Sequence, residues 1–164
     1  MIDKFTVQEK FPDVDEMARL WGWIQECPEA NIDDAGPKSI DDFYVVMKAK
    51  AQRGVVLFVV STDLFGPIGC FGLEAFGNGL VKFAGLCFAP YVRGTGLAQR
   101  SVTGVLERLS PRKVVVEFFE TNKRAVSFFE DLGFTFEGRF TDETIIKGEP
   151  VAVVRWVKFP KREE

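Results

Sequence analysis

The run Arg93-Gly94-Thr95-Gly96-Leu97-Ala98 has the residue types of an anion-binding turn. It follows an apolar stretch that stops at Pro90 and leads at once into a helical pattern, with Ala98, Val102, Val105, Leu106 and Leu109 on one face. A strand that enters a helix through a glycine-bearing loop points several backbone N–H groups at one spot, where they add to the positive end of the helix dipole. Gly94 and Gly96 allow close backbone approach and positive φ, and Arg93 adds charge. A phosphate is the group such a place attracts. An absence limits the remaining chemistry: the chain contains no histidine. That removes Ser-His-Asp and Cys-His nucleophilic machinery and the commonest zinc ligand, and no metal site is expected. A general base must then be a carboxylate, a lysine, a tyrosine, a cysteine or water.

Known phosphate loops fit this run poorly. A P-loop places four residues between its glycines and then Lys-Ser or Lys-Thr, neither of which is present. A dinucleotide fingerprint requires a third glycine where Gln99 stands, and a βαβ unit where the preceding strands look hairpin-linked, even though Glu117 lies at a suitable distance for a ribose contact. A turn that uses its glycines for geometry alone is a further reading of the same residues.

These residues must be carried by the elements around them. A short strand is expected near Ile2–Val7. Asp13 caps a helix with Val14, Met17, Ala18, Trp21 and Ile24 on one face, and "CPEANIDDAGPK" breaks it. Ser39 and Asp42 open a second helix, striped by Ile40, Phe43, Tyr44 and Met47. Three β-rich runs follow, Val55–Thr62, Pro67–Phe76 and Leu80–Ala89, and their short turns make them antiparallel neighbours. After the glycine loop and its helix come a buried strand, Lys113–Phe119, and a helix, Asn122–Leu132, with Gly133 as a left-handed C-cap. "FTFEGRF" and "PVAVVRWVKF", separated by a polar loop, read as a closing hairpin.

At 164 residues the chain is long enough for one domain with a sizeable core, and its 17 Phe point to a bulky interior. A net charge of −3 with scattered basic residues gives no footprint for nucleic acid. Cys27, Cys70 and Cys87 are odd in number and two lie in apolar runs, which suits a reducing, cytoplasmic setting. No apolar stretch is long enough for a membrane span, and the first residues lack a signal-like segment.

The Arg93–Ala98 run matches the pattern R/Q-x-x-G-x-G/A after a strand ending in an x-Pro pair. In "TNKRAVSFFEDLGF", Thr121–Phe134, an Asn precedes a helix that ends in Leu-Gly-Phe. On these two motifs and the order of elements, the chain resembles the GNAT superfamily of acyl-CoA-dependent N-acetyltransferases over nearly its whole length.

The resemblance implies an α/β (α+β) fold with a mixed sheet of about seven strands, the fourth and fifth splayed apart, flanked by about four helices. Residues 1–160 would form the single domain and 161–164 a polar tail. Acetyl-CoA would lie between Leu80–Ala89 and Lys113–Phe119, its pantetheine arm pairing with the backbone of Leu86, Cys87 and Phe88 like an added strand. Its pyrophosphate would rest on Arg93, Gly94, Thr95, Gly96, Leu97 and Ala98, with Asn122 as a further contact. A neutral amine would attack the thioester directly, an N–H near Phe88 serving the developing oxyanion. Glu117 corresponds to the base of ribosomal-protein alanine N-acetyltransferases; Glu74, acting through water, and a water chain alone are the alternatives.

Two positions depart from the family. Phe129 stands where many relatives carry a tyrosine that protonates the thiolate, and Lys82 stands where histone-acetylating relatives carry a glutamate. The implied acceptor is a primary amine: a peptide or protein N-terminus, a polyamine or an aminoglycoside-like molecule. An acidic lip of Glu29, Asp33, Asp34, Asp41 and Asp42 would concentrate such a cation, although the same residues also fit helix caps and solvated loop. The missing tyrosine motivates an alternative, a catalytically weak CoA-binding or protein-interaction module. Whether the chain is a monomer or a homodimer is left open.

Overall fold

Seven strands form one sheet in the order β1-β2-β3-β4-β5-β7-β6. They are β1 (Thr6–Glu9), β2 (Val55–Thr62), β3 (Gly66–Ala75), β4 (Leu80–Phe88), β5 (Lys113–Phe119), β6 (Thr135–Ile146) and β7 (Glu149–Lys158). Among the described residues four helices accompany them: α1 (Val14–Gln25), α2 (Ile40–Gln52), α3 (Leu97–Leu109) and α4 (Lys123–Asp131). A 3-10 turn at Pro90–Val92 joins β4 to the glycine loop. The structure is a computed structural model that describes residues 4–27 and 34–160.

Local signals set the helix ends. Asp13 Oδ1 accepts the N–H of Glu16 while Glu16 Oε2 accepts that of Asp13, a closed capping box that starts α1. Ser39 Oγ accepts the N–H of Asp42 at the start of α2. Ser110, left-handed at φ 46°, ends α3 one residue before Pro111, and Gly133, at φ 81°, follows α4.

Every contact between neighbouring strands is antiparallel except one. β4 and β5 run parallel and pair only at Leu80↔Lys113, Val81↔Val114 and Lys82↔Val115. Beyond Lys82, β4 continues against β3 as far as Phe88, while β5 continues against β7. The two strands therefore open into a V whose apex is Lys82 and Val115. A bulge assists the divergence: Phe71 faces Leu86 and Leu73 faces Phe83, so Gly72 alone spans Ala84 and Gly85. Gly85 sits there at φ 138°, a conformation reserved for glycine.

The core is a continuous aromatic seam. Phe58 stacks on Phe71 at 5.2 Å between centroids, Phe71 meets Phe83 at 6.3 Å, and Phe83 meets Phe129 of α4 at 5.4 Å. Each such ring removed from water contributes about 2 kcal/mol or more before entropy is counted. α1 and α2 pack together through Trp21 and Phe43.

Two boundaries differ from the sequence reading by more than a residue. β1 is Thr6–Glu9 rather than Ile2–Val7, of which the first two residues lie outside the described residues. The supposed polar loop at Thr141–Ile146 is strand: β6 bulges between Phe140 and Thr144, with Asp142 at φ 53°, then resumes pairing with β7. The actual turn is Lys147-Gly148, both at positive φ, as a two-residue hairpin requires. In the closing hairpin it is β7, the second strand, that lies against β5, with β6 at the sheet edge.

Candidate active site

The glycine loop stands at the open end of the V. Gly94 and Gly96 have φ of 73° and 77°, and a Cβ built on either meets nothing within 4 Å. Glycine is required there by conformation, and the space beside it is open. Thr95 organises the loop: its hydroxyl donates to the carbonyl of Val92 at 2.6 Å and accepts the N–H of Leu97. The N–H groups of Arg93 and Thr95 are bonded to Pro90 and Val92. Those of Gly94, Gly96, Ala98 and Gln99 donate to no acceptor among the described residues. Four free donors at one helix N-terminus can hold a polyanionic group such as a pyrophosphate. The Gln99 amide was missed in the sequence, although it is among the first four of α3 and so necessarily lacks a helical partner. Arg93 turns back, its guanidinium donating to the carbonyl of Phe88 at 3.3 Å.

Along the V, the β5-facing edge of β4 from Phe83 to Phe88 has no strand partner. Leu86, Cys87 and Phe88 lie on it, so backbone groups are available to an extended ligand bearing amides. Across the gap, Asn122 caps α4. Its Oδ1 accepts the N–H of Ala125 at 3.1 Å, which leaves its NH2 as the part able to reach a ligand.

At the apex a row of alternating charges crosses four strands. Glu74 on β3 faces Lys82 on β4, Lys82 Nζ donates to Glu117 Oε2 on β5 at 2.5 Å, and Arg155 on β7 faces Glu117. Arg155 donates to Glu117 Oε1 through Nε at 2.8 Å and Nη2 at 2.5 Å, and its guanidinium lies over the Phe140 ring. Partial burial pushes the Glu117 carboxyl up, but hydrogen bonds and charge from Lys82 and Arg155 outweigh it and hold the group below the ordinary carboxylate range. Glu117 is thus an ionised carboxylate with both oxygens engaged, flanked by cations, at the point where the strands part.

Other candidates are placed as follows. Phe129 is 4% exposed and contacts Phe83, Phe118, Phe128 and Phe134. It is core. Burial pushes the thiols of Cys70 and Cys87, opposite one another on β3 and β4, up to about 12. Of the acidic lip, Glu29 and Asp33 lie outside the described residues. Asp34 accepts the N–H groups of Lys147 and Gly148, each at 2.8 Å, and so ties the α1–α2 connection to the tip of the β6–β7 hairpin. Asp42 accepts the N–H of Lys38. Among the described residues no cluster of His, Cys, Asp or Glu is arranged to hold a metal, and no helix is long and apolar enough to cross a membrane.

Residues 17–134 match the family model described as the Acetyltransferase (GNAT) family. Among solved structures, a spermidine N-acetyltransferase from Vibrio cholerae in complex with CoA and spermine superposes with a TM-score of 0.74 at 18% identity, over 94% of this chain and 95% of that one. A ribosomal-protein-alanine N-acetyltransferase from Brucella melitensis gives 0.71 at 11% identity, over 94% and 99%. A phosphinothricin acetyltransferase from Sinorhizobium meliloti in complex with AcCoA gives 0.71 at 15% identity, over 94% and 88%. At these identities the likeness is one of fold. No curated protein matches the chain by sequence.

Proposed function

Because the chain belongs to the GNAT family of acetyltransferases, N-acetyltransferases that use acetyl-CoA as co-substrate, we propose that it moves an acetyl group onto a primary amine by direct attack in a ternary complex. The observation that carries this reading is the combination of a β4 edge, Phe83–Phe88, that no strand pairs with on the β5 side and four free N–H donors at Gly94, Gly96, Ala98 and Gln99. One extended molecule with amides in its arm and a pyrophosphate at its end satisfies both.

In this reading acetyl-CoA supplies the activated acyl group, and the chain binds and orients. Leu86, Cys87 and Phe88 offer backbone pairing; the Arg93–Ala98 loop and the Gln99 amide hold the pyrophosphate; Asn122 reaches from the far wall. An N–H of β4 near Phe88 serves the carbonyl oxygen as charge builds on it. The unreactive thiol of Cys87 supports direct attack over an acyl-enzyme on that residue.

Glu117, matched to a base by resemblance, is a poor proton acceptor while Lys82 and Arg155 hold it. We assign it the part of a fixed charge that orients the approaching amine, with the proton leaving through water and Glu74 beside that path. The structural relatives are named for spermidine, ribosomal-protein alanine and phosphinothricin; an aliphatic amine is the acceptor class consistent with all three. Calorimetry with acetyl-CoA, followed by a screen of peptides, polyamines, aminoglycosides and amino acids for acetylated product by mass spectrometry, tests the proposal. It fails if the protein binds no acetyl-CoA and acetylates none of the panel.

A further inference from the structure

Lys50 lies in the last turn of α2, where a lysine ordinarily faces solvent beside the negative end of the helix. Here it is half-buried instead. Its Nζ donates to the carbonyl of Ala84 at 2.7 Å, and it is also 3.8 Å from where a Cβ on Gly85 would stand. Ala84 and Gly85 are the two bulged residues of β4, immediately past the apex of the V. Burial, more than the nearby Arg53, lowers the pKa of Lys50, and Glu74 opposes that only through space, with no ion pair formed.

A bulge leaves a strand carbonyl without its ladder partner, and an unpaired buried carbonyl seeks a donor. Without one from α2, the N–H groups of β5, the strand that β4 pairs with as far as Lys82↔Val115, become available to it. Pairing there would extend the parallel ladder past Lys82↔Val115 and narrow the gap. We propose that Lys50 is a positioning residue: by holding the Ala84 carbonyl toward α2, it fixes the bulge and keeps the Leu86–Phe88 edge of β4 open and aimed into the gap for the acyl-bearing arm of the co-substrate. This rests on the reading above that acetyl-CoA lies on that edge. The lysine acts through the backbone of β4 and touches no reacting atom.

The assignment explains why a charged side chain is half-buried here without a carboxylate. An ammonium brings a strong, charge-assisted donor on a long stem, which a hydroxyl or amide at the same helix position lacks the length to supply.

The test is amide hydrogen exchange read by mass spectrometry, with and without saturating acetyl-CoA, on the wild-type protein and the Lys50→Met and Lys50→Arg variants. In the wild type, acetyl-CoA is expected to slow exchange both in the peptide covering Leu86–Phe88 and in the peptide covering Gly94–Gln99. Lys50→Met is expected to lose the slowing at Leu86–Phe88 and keep it at Gly94–Gln99, which shows that the variant is folded and still binds the pyrophosphate. Lys50→Arg is expected to restore it. In turnover, Lys50→Met should lower kcat by about 100-fold, the cost of a misplaced acyl group, while the dissociation constant for CoA changes less than the rate.

Retained slowing at Leu86–Phe88 in Lys50→Met overturns this inference and leaves the proposed function standing. Parallel loss at both peptides also overturns it, because it marks a general structural role. A wild type in which acetyl-CoA slows neither peptide refutes the proposed function and this inference with it.

Discussion

Lys82 Nζ lies 2.5 Å from Glu117 Oε2, joining β4 to β5 at the last position where the two strands are paired. The ion pair therefore closes the apex of the gap, and Arg155 reinforces it from β7. Both side chains keep some solvent contact, so the pair's net contribution is expected to be about 1 kcal/mol or less. Lys82→Met should raise the Glu117 pKa, since burial continues to push it up while one of the two opposing cations is gone. Carboxyl-carbon NMR titration checks the shift. A double-mutant cycle with Glu117→Gln should return a coupling on the order of 1 kcal/mol.

The same pair decides how activity depends on pH. Lys82 and Arg155 hold Glu117 below its ordinary range, so it is already ionised throughout the neutral region and titrates on the acid side of an ordinary glutamate. The rising limb of kcat/KM near neutral and alkaline pH is then expected to follow the acceptor amine losing its own proton. Glu117→Gln should lower kcat/KM but leave the midpoint of that limb in place. A limb that vanishes or moves by a unit or more in the variant would make Glu117 the base after all.

Gly94 and Gly96 permit a sharper separation of binding from stability. Both have left-handed φ and neither would have its Cβ obstructed by protein. Replacing either with alanine should therefore cost only the conformational strain, about 1 kcal/mol of folding stability. The effect on CoA should be larger, because a methyl group would stand beside the free N–H groups proposed to hold the pyrophosphate. Denaturant titration and CoA calorimetry on Gly94→Ala check the two parts; the affinity loss is expected to exceed tenfold, about 1.4 kcal/mol.

Much of this was legible because it is local. The capping at Asp13 and Ser39, the left-handed Gly133 and the glycine loop each follow from a few adjacent residues, and the structure has them where the spacing placed them. What was not legible depends on residues distant in the chain. Lys50 reads as a solvated helix-end lysine until Ala84 is brought to it across 34 positions. Glu117 reads as a candidate base until Lys82 and Arg155 arrive from two other strands. Thr141–Ile146 reads as loop because its polar residues lack a buried face, yet edge-strand pairing with β7 needs none. The order β5-β7-β6 is a choice between two topologies that the same hairpin pattern allows.

Asp34 illustrates how an acidic loop residue can be spent on structure. Its carboxylate accepts two backbone N–H groups, from Gly148 and then Lys147, and these hold its pKa below the ordinary value. A depressed pKa means that its stabilising contribution is present above about pH 4, the unfolded carboxylate value, and fades as pH falls through the lower folded value. Asp34→Asn should keep part of the clamp and Asp34→Ala should release it. Amide exchange at Lys147 and Gly148, measured by NMR at neutral pH, is expected to speed up in the alanine variant. Unchanged exchange would return Asp34 to the acidic lip as a free charge available to an acceptor.

Phe129 tests whether the family's tyrosine could be restored here. The ring is 4% exposed and enclosed by four other phenylalanines, with centroid distances from 5.1 to 5.7 Å. A hydroxyl added to it enters an apolar cluster in which no side chain of those four can accept or donate. An unsatisfied buried hydroxyl costs about 1–3 kcal/mol, and the enlarged ring adds packing strain. Phe129→Tyr is accordingly expected to lower the unfolding free energy by that amount, measured by denaturant titration, without raising kcat. The thiolate can leave unassisted because its pKa is far below that of an alkoxide, so a missing acid at this position does not by itself silence the reaction. An increase in kcat with little loss of stability would mean that the hydroxyl reaches the gap, and would place Phe129 in the wall of the site rather than in the core beneath it.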